Sequence, residues 1–416
     1  MENTQHAAIY IHSDTDTDEL ITSIIKGNLL GNELPSGIEA AIFSNTTLRH
    51  FIEEELRHEH FEINTGINNS LANSSSGEQR RALLNYIIAK DPAFIILDNV
   101  FESLDANTRE AILLQLQNLS GHSTIIQILE RKRDLLPFIK TVYIFDQGRI
   151  LRKENRQQFQ ASTLEPATYF NLSVPPPLQH FPSVQDPLID MKDVSVHFND
   201  RQILRDISWK INAGEFWQLK GPNGSGKSTM LTMISGDSPK AYGQDVWLFG
   251  HKKGTGESVW SIKEKIGYFT PNMILDFERQ DSIEKMIVAG FFDSVGLYTK
   301  PSDRQLSLVA DWLKLIGMYD IRQQPFRLSP AGQQRIVMVV RAMVKHPPLL
   351  ILDEPASGLD DESAVLFTAL INKIAAETNT AIIYVSHMNE PGLLPQHIFQ
   401  LFPHTTGSTG EIVKNL

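Results

Sequence analysis

The sequence contains no cysteine, so disulfides, thiolate metal ligands and thiol nucleophiles are all excluded, and a reducing compartment suits the chain. It also has no uninterrupted apolar run near the roughly 18 residues that a membrane-spanning helix needs. The opening MENTQHAAIYIHSDTD is polar and acidic, unlike a leader that is basic and then apolar. These features predict a soluble, cytoplasmic protein, peripheral at the inner face of the plasma membrane only through a separate partner. Basic residues are in deficit, with 38 Lys and Arg against 49 Asp and Glu and a net charge of −11. A surface built to hold nucleic acid depends on Lys and Arg against phosphates, so no nucleic-acid partner is expected.

A chain of 416 residues exceeds one ordinary core, and two domains are the prior. The strongest local signal is Gly221-Pro222-Asn223-Gly224-Ser225-Gly226-Lys227-Ser228-Thr229, which fits the phosphate-cradling loop pattern of Gly, four residues, Gly, Lys and Ser or Thr. The apolar run Phe216-Trp217-Gln218-Leu219 before it reads as a strand, and Met230 to Ile234 after it as a helix. That is the context in which backbone N–H groups at a helix N-terminus face phosphates, Lys227 reaches the β- and γ-phosphates, and Ser228 ligates Mg²⁺. A nucleoside triphosphate is implied. Upstream, Met191 to Phe198 and Ile203 to Trp209 read as alternating strands joined at Asn199-Asp200. Phe198 offers an aromatic face to a base, although an aromatic in a strand equally suits a core.

The chain contains this unit twice. At an offset of 209, the strand Ala7 to Ile11 aligns with Phe216 to Lys220, and the loop His12 to Asp18 and the helix from Glu19 align with Gly221 to Gly236, without a gap. The chemistry differs, with Thr15 and Thr17 in place of Gly224 and Gly226, Asp18 in place of Lys227 and Glu19 in place of Ser228. Exchanging an attractive charge for a repulsive one costs on the order of several kcal/mol, comparable with the roughly 8 kcal/mol of micromolar binding, so nucleotide is not expected there. Asp14, Asp16 and Asp18 suggest a calcium loop but lack its Gly and distal Glu. From Ser74 the offset is 255, so the first copy is shorter by 46 residues. It also starts at the loop strand, without a preceding hairpin. The expected division is a trimmed copy at 1–172, a proline-containing linker at 173–187 and a complete copy at 188–416, with an inserted helical lobe at 276–325.

The second copy resembles an ATP-binding cassette (ABC) ATPase domain along nearly its whole length. The resemblance rests on the phosphate loop, Leu350-Ile351-Leu352-Asp353-Glu354-Pro355, Gly358-Leu359-Asp360, and Ile382 to Ser386 followed by His387, in the family's order. It implies an α/β chain of two tandem P-loop NTPase domains of ABC type, the first truncated and degenerate. It also implies ATP and Mg²⁺ as ligands, with Mg²⁺ held by Ser228 and, through water, by Asp353. Glu354 would activate the attacking water and His387 would contact the γ-phosphate. Two domains in one chain, the run Lys345-His346-Pro347 and Phe249-Gly250 through Glu257 are similar to the ModF-type double-cassette proteins associated with molybdate uptake.

Domains of this family pair head to tail, each nucleotide lying between one phosphate loop and the Ser-Gly-Gly signature of the other domain. The resemblance therefore pairs the intact loop with Ser75, Gly77 and Glu78 of the first copy. The opposite site would join the acidic loop to Ser329-Pro330-Ala331-Gly332, where Pro330 lacks a backbone N–H. Asn99 replaces the general base in the first copy, and Glu130 stands where His387 stands in the second. One competent site, closed by intramolecular pairing of the two domains, is the expectation. Importer ATPases usually carry a Gln after the strand Ile266 to Phe269, whereas Thr270-Pro271-Asn272 follows here. An energising subunit of a membrane importer, with its permease on another chain, is the alternative reading. A soluble translation-associated cassette pair is a further one, disfavoured by the short linker and acidic charge, and a nucleic-acid repair cassette is weaker still.

Overall fold

The computed structural model describes residues 6–29, 40–58, 62–63, 70–74, 76–102, 104–161, 170–178, 181, 185–199, 201–277 and 280–413. The chain forms two compact units, Met1–Glu165 with Gly358–Glu362, and Pro166–Ser357 with Ser363–Leu416. Ser75 and the turn residue Asp200 lie outside the described residues.

The first unit is built on a six-stranded sheet in the order Ala41–Phe43, Phe94–Asp98, Thr124–Leu129, Ala7–Tyr10, Thr141–Asp146 and Arg149–Asn155. All neighbours are parallel except the last pair. Parallel strands are covered on both faces, which is why Phe94-Ile95-Ile96-Leu97 is apolar without alternation and almost wholly buried. One face packs on the helices Ser76–Ala89 and Ala106–Leu119, the other on Thr17–Ile25.

The second unit repeats this order in its own six-stranded sheet, Ile266–Phe269, Leu349–Asp353, Ala381–Ser386, Phe216–Lys220, His397–Phe402 and Thr409–Val413. Again only the last pair is antiparallel. It adds an antiparallel four-stranded sheet, His251–Lys252, Asp245–Leu248, Ile189–Phe198 and Arg201–Ile211, which includes the hairpin expected upstream of the loop. The expected helical lobe is present as the helices Ile283–Val288 and Asp303–Leu315, the latter opened by a reciprocal Ser302–Gln305 capping box.

Two features fix the smaller sheet against the larger. Ser408 exchanges backbone hydrogen bonds with Arg205 and Ile203 at 2.8 Å each. Trp209, 2% exposed, stacks on Phe399 at 4.7 Å between centroids and meets Trp217 edge-on at 5.7 Å. Among the described residues no helix is long and apolar enough to cross a membrane.

Removing the indole leaves a large void at the junction of the two sheets. Trp209→Ala is expected to lower the unfolding free energy of the second unit by about 3–5 kcal/mol, and Trp209→Phe by clearly less. Urea titration followed by circular dichroism measures both.

Candidate functional site

In the second unit the strand Phe216–Lys220 lies between Ala381–Ser386 and His397–Phe402, and the loop from Gly221 leaves its carboxyl end. Ligands of open α/β sheets bind at this edge. Gly224 and Gly226 adopt φ of +75° and +96°, the left-handed region where a side chain is strained. A Cβ on Gly226 would also strike the Leu204 side chain, so the hairpin sheet backs the loop directly. The helix Lys227–Ile234 starts at Gly226 with no side-chain cap, leaving its first N–H groups to a ligand.

Lys227 is 7% exposed, and its ammonium donates to the carbonyls of Gly221 at 2.8 Å and Pro222 at 3.2 Å. Ser228 and Asn223 are exposed, Pro222 and Thr229 half-buried, and Ser225 fully buried beneath the turn. Phe198 ends its strand with 47% of its surface exposed, and the Lys240 ammonium lies 5.1 Å from its ring centroid.

The acidic pair lies at the end of the next strand but one. Asp353 accepts from the Tyr268 hydroxyl at 3.4 Å. Burial pushes its carboxyl up to about 6, helped by the neighbouring Glu354 and opposed by Lys227 and Tyr268. Glu354 has φ +48°, donates its N–H to the Val385 carbonyl at 3.0 Å, and lies 3.4 Å from His387 Nδ1 through Oε1. Burial acts upward on Glu354 too, but the hydrogen bond and charge of His387, with Lys227, outweigh it and hold the carboxyl below its usual range. Two supporting residues escaped the sequence reading. Tyr268 carries no local signal, whereas Gln218, buried inside an apolar strand and donating to Ser386 Oγ at 2.8 Å, was visible as a polar residue in an apolar run.

Oxygen donors suit Mg²⁺, which keeps several waters and takes few protein ligands. The exposed Ser228 hydroxyl and the Asp353 carboxylate fit that habit. Among the described residues no cluster of three or more His, Cys, Asp or Glu could hold a metal by itself.

The same positions in the first unit hold different chemistry. The Asp16 carboxylate caps the helix Thr17–Ile25, accepting from the N–H groups of Asp18 at 3.1 Å and Glu19 at 3.0 Å. The chain's own anion thus takes the helix N-terminus that a phosphate would use. Asn99 copies the Glu354 backbone, with φ +44° and its N–H on the Ile128 carbonyl at 3.1 Å, and donates through Nδ2 to Glu130 Oε1 at 3.0 Å. The Glu–His pair of the second unit is here an Asn–Glu pair. Within this unit Asp360 accepts from Ser13 N–H at 2.9 Å and Ser13 Oγ at 2.8 Å, and Asp361 accepts from Lys132 N–H at 2.8 Å. Gly77 and Glu78 lie in the first turn of the helix Ser76–Ala89, half-buried and exposed respectively.

A family model described as "ABC transporter" matches residues 204–357. The ABC transporter ATP-binding protein ModF of Escherichia coli (strain K12) is 37% identical over 76% of this chain and 67% of its own length. An uncharacterized ABC transporter ATP-binding protein of Schizosaccharomyces pombe is 29% identical over 77% of this chain and 66% of its own. Both alignments thus span about two thirds of the relative. Among solved structures, a model of ribosome-bound archaeal Pelota and ABCE1 matches 99% of this chain and 74% of that one, with TM-score 0.64 and 12% identity. A complex of archaeal ribosomal stalk protein aP1 with the recycling factor aABCE1 matches 98% and 85%, with TM-score 0.62 and 12% identity. At such identity the likeness is one of fold.

Burial pushes the Glu130 carboxyl up to about 8, Asn99 opposing and Glu102, Asp98 and Asp360 adding to it. A folded pKa above the ordinary 4.5 means that the native state holds the proton more tightly, so this contribution is complete below about 4.5 and is lost as pH rises through about 8. Glu130→Gln keeps the acceptor for Asn99 and cannot ionise. It should gain stability over the parent, on the order of a few kcal/mol, between pH 5 and pH 9. Urea titrations of both proteins at the two pH values test this.

Proposed function

We propose, from the premise that the chain belongs to the ABC family of ATPases, that it hydrolyses ATP at one composite site. The loop and acidic pair of the second cassette (188–416) would be completed by the signature Ser75, Gly77 and Glu78 of a degenerate first cassette (1–172), across a linker at 173–187. The observation that carries this reading is the convergence of Lys227, Asp353, Glu354 and His387 at neighbouring strand ends in the second unit. Their counterparts in the first unit include an acidic loop, Asn99 and Glu130.

Phosphoryl transfer is mostly positioning and charge neutralisation. The triphosphate lies along Gly221 to Thr229, its charge met by the loop N–H groups and Lys227, and the base stacks on Phe198. Bound Mg²⁺, held by Ser228 and through water by Asp353, would neutralise charge on the phosphates. Glu354, kept ionised by its neighbours, accepts a proton from the attacking water, and His387 orients Glu354 and reaches toward the γ-phosphate. In the first unit an amide at Asn99 has no basic lone pair for that step, and the capped helix at Asp16 repels phosphate.

The likeness to ModF supports a ModF-like, cytoplasmic ATP-binding protein linked to molybdate transport. A permease on another chain is the partner this would require. Full-chain likeness to archaeal ABCE1 structures supports the tandem layout and carries no translation role by itself.

Trapping ATP in Glu354→Gln tests the count of sites, since stalled hydrolysis retains nucleotide wherever a site can close. One per chain is expected, and two would refute the asymmetry. Ser75→Arg should depress ATPase activity about as severely as Lys227→Ala. A silent Ser75→Arg beside an inactive Lys227→Ala would refute the pairing.

A further inference from the structure

Away from the nucleotide residues, the first unit contains a cavity of about 670 Å³ between the helix Asn45–His58 and Tyr86 on the helix Ser76–Ala89. That is within the range of small-molecule pockets, roughly 300–1,000 Å³. The helix explains why the cavity is unusual. Leu48, Phe51, Ile52 and Glu55 follow the i, i+3, i+4, i+7 spacing of a core-facing stripe, so a carboxylate stands where an apolar side chain would pack.

Glu55 is 6% exposed. Its Oε2 accepts the Leu71 N–H at 2.9 Å, while its Oε1 is buried without a hydrogen-bond partner among the described residues. A buried carboxylate oxygen of this kind calls for a cation or donor. The other charged groups of the lining do not supply it. Glu54 lies 3.6 Å from His58, and Glu62 accepts from the Tyr86 hydroxyl at 3.0 Å, so both are acidic groups with partners of their own. The Lys90 ammonium lies over the Tyr86 ring, 4.2 Å from its centroid. The remaining wall is apolar, with Ile63 and Leu71 almost fully buried and the Phe51 and Tyr86 rings edge-to-face at 5.3 Å.

We infer that this cavity is a binding site for a small organic ammonium ion, its charged end on the Glu55 side and its hydrocarbon body against Phe51, Ile63, Leu71 and Tyr86. The walls suit an apolar body rather than a hydrated ion, and among the described residues no cluster could hold a metal. Three carboxylates, Glu54, Glu55 and Glu62, against the Lys90 ammonium and the imidazoles of His50 and His58 disfavour anions.

Calorimetric titration of the full chain with phenethylamine, and with the neutral 2-phenylethanol of the same shape, tests this. The amine should bind at least about tenfold more tightly than the alcohol, the usual effect of a charge-assisted hydrogen bond. Glu55→Gln keeps an acceptor for the Leu71 N–H and removes the charge, so it should fold and lose that preference. Phe51→Ala should weaken both ligands alike. No binding of the amine to the parent protein, equal binding of amine and alcohol, or an amine affinity unchanged in a folded Glu55→Gln variant would each overturn the assignment. So would tighter binding of Zn²⁺ than of the amine that is lost in the same variant.

Discussion

The proposed catalytic arrangement depends on one backbone contact, the hydrogen bond from Glu354 N–H to the Val385 carbonyl. It turns the residue after an apolar strand into the left-handed region and holds its carboxylate beside His387 at the end of the adjoining strand. Strand register then places Lys227, which begins the helix after a third parallel strand, within the same field. A shift of one residue in that register would turn each strand's side chains to the opposite face. The first unit keeps the same contact, Asn99 to Ile128, after its chemistry has changed, so the backbone device is separable from the reaction it supports.

In the two units a few side chains change the chemistry of one fold while its backbone order is kept. Backbone order is the same in both sheets, and burial raises the acid at the end of the second strand in each case, Asp98 and Asp353 alike to about 6. What differs is the charge opposite. Lys227 lies near Asp353, whereas Asp18, at the matching position, adds negative charge near Asp98, and Arg80 beside Asp98 is committed to Asn45, Glu102 and the Asn99 carbonyl. An arginine held by three acceptors stabilises the unit and is not available to phosphate.

Much of this was legible because its signals are local. The glycine spacing from 221 to 226, the apolar runs ending at Asp98 and Asp353, and the alternation from Met191 to Phe198 each follow from the geometry of one element. Asp16 was legible only in part. Its charge suggested repulsion of phosphate, while its capping of the following helix depends on how the loop turns. The contacts of Asp360 and Asp361 within the first unit were not legible, since Ser13 and Asp360 lie 347 positions apart and no local pattern encodes their meeting. The Tyr268 hydroxyl on Asp353 escaped for the same reason.

Asp16 has one more implication. A free nucleotide occupies a helix N-terminus in proportion to its concentration, but a carboxylate carried by the chain is present at a fixed local concentration. The helix N-terminus of the first half therefore keeps its anion whatever the nucleotide concentration.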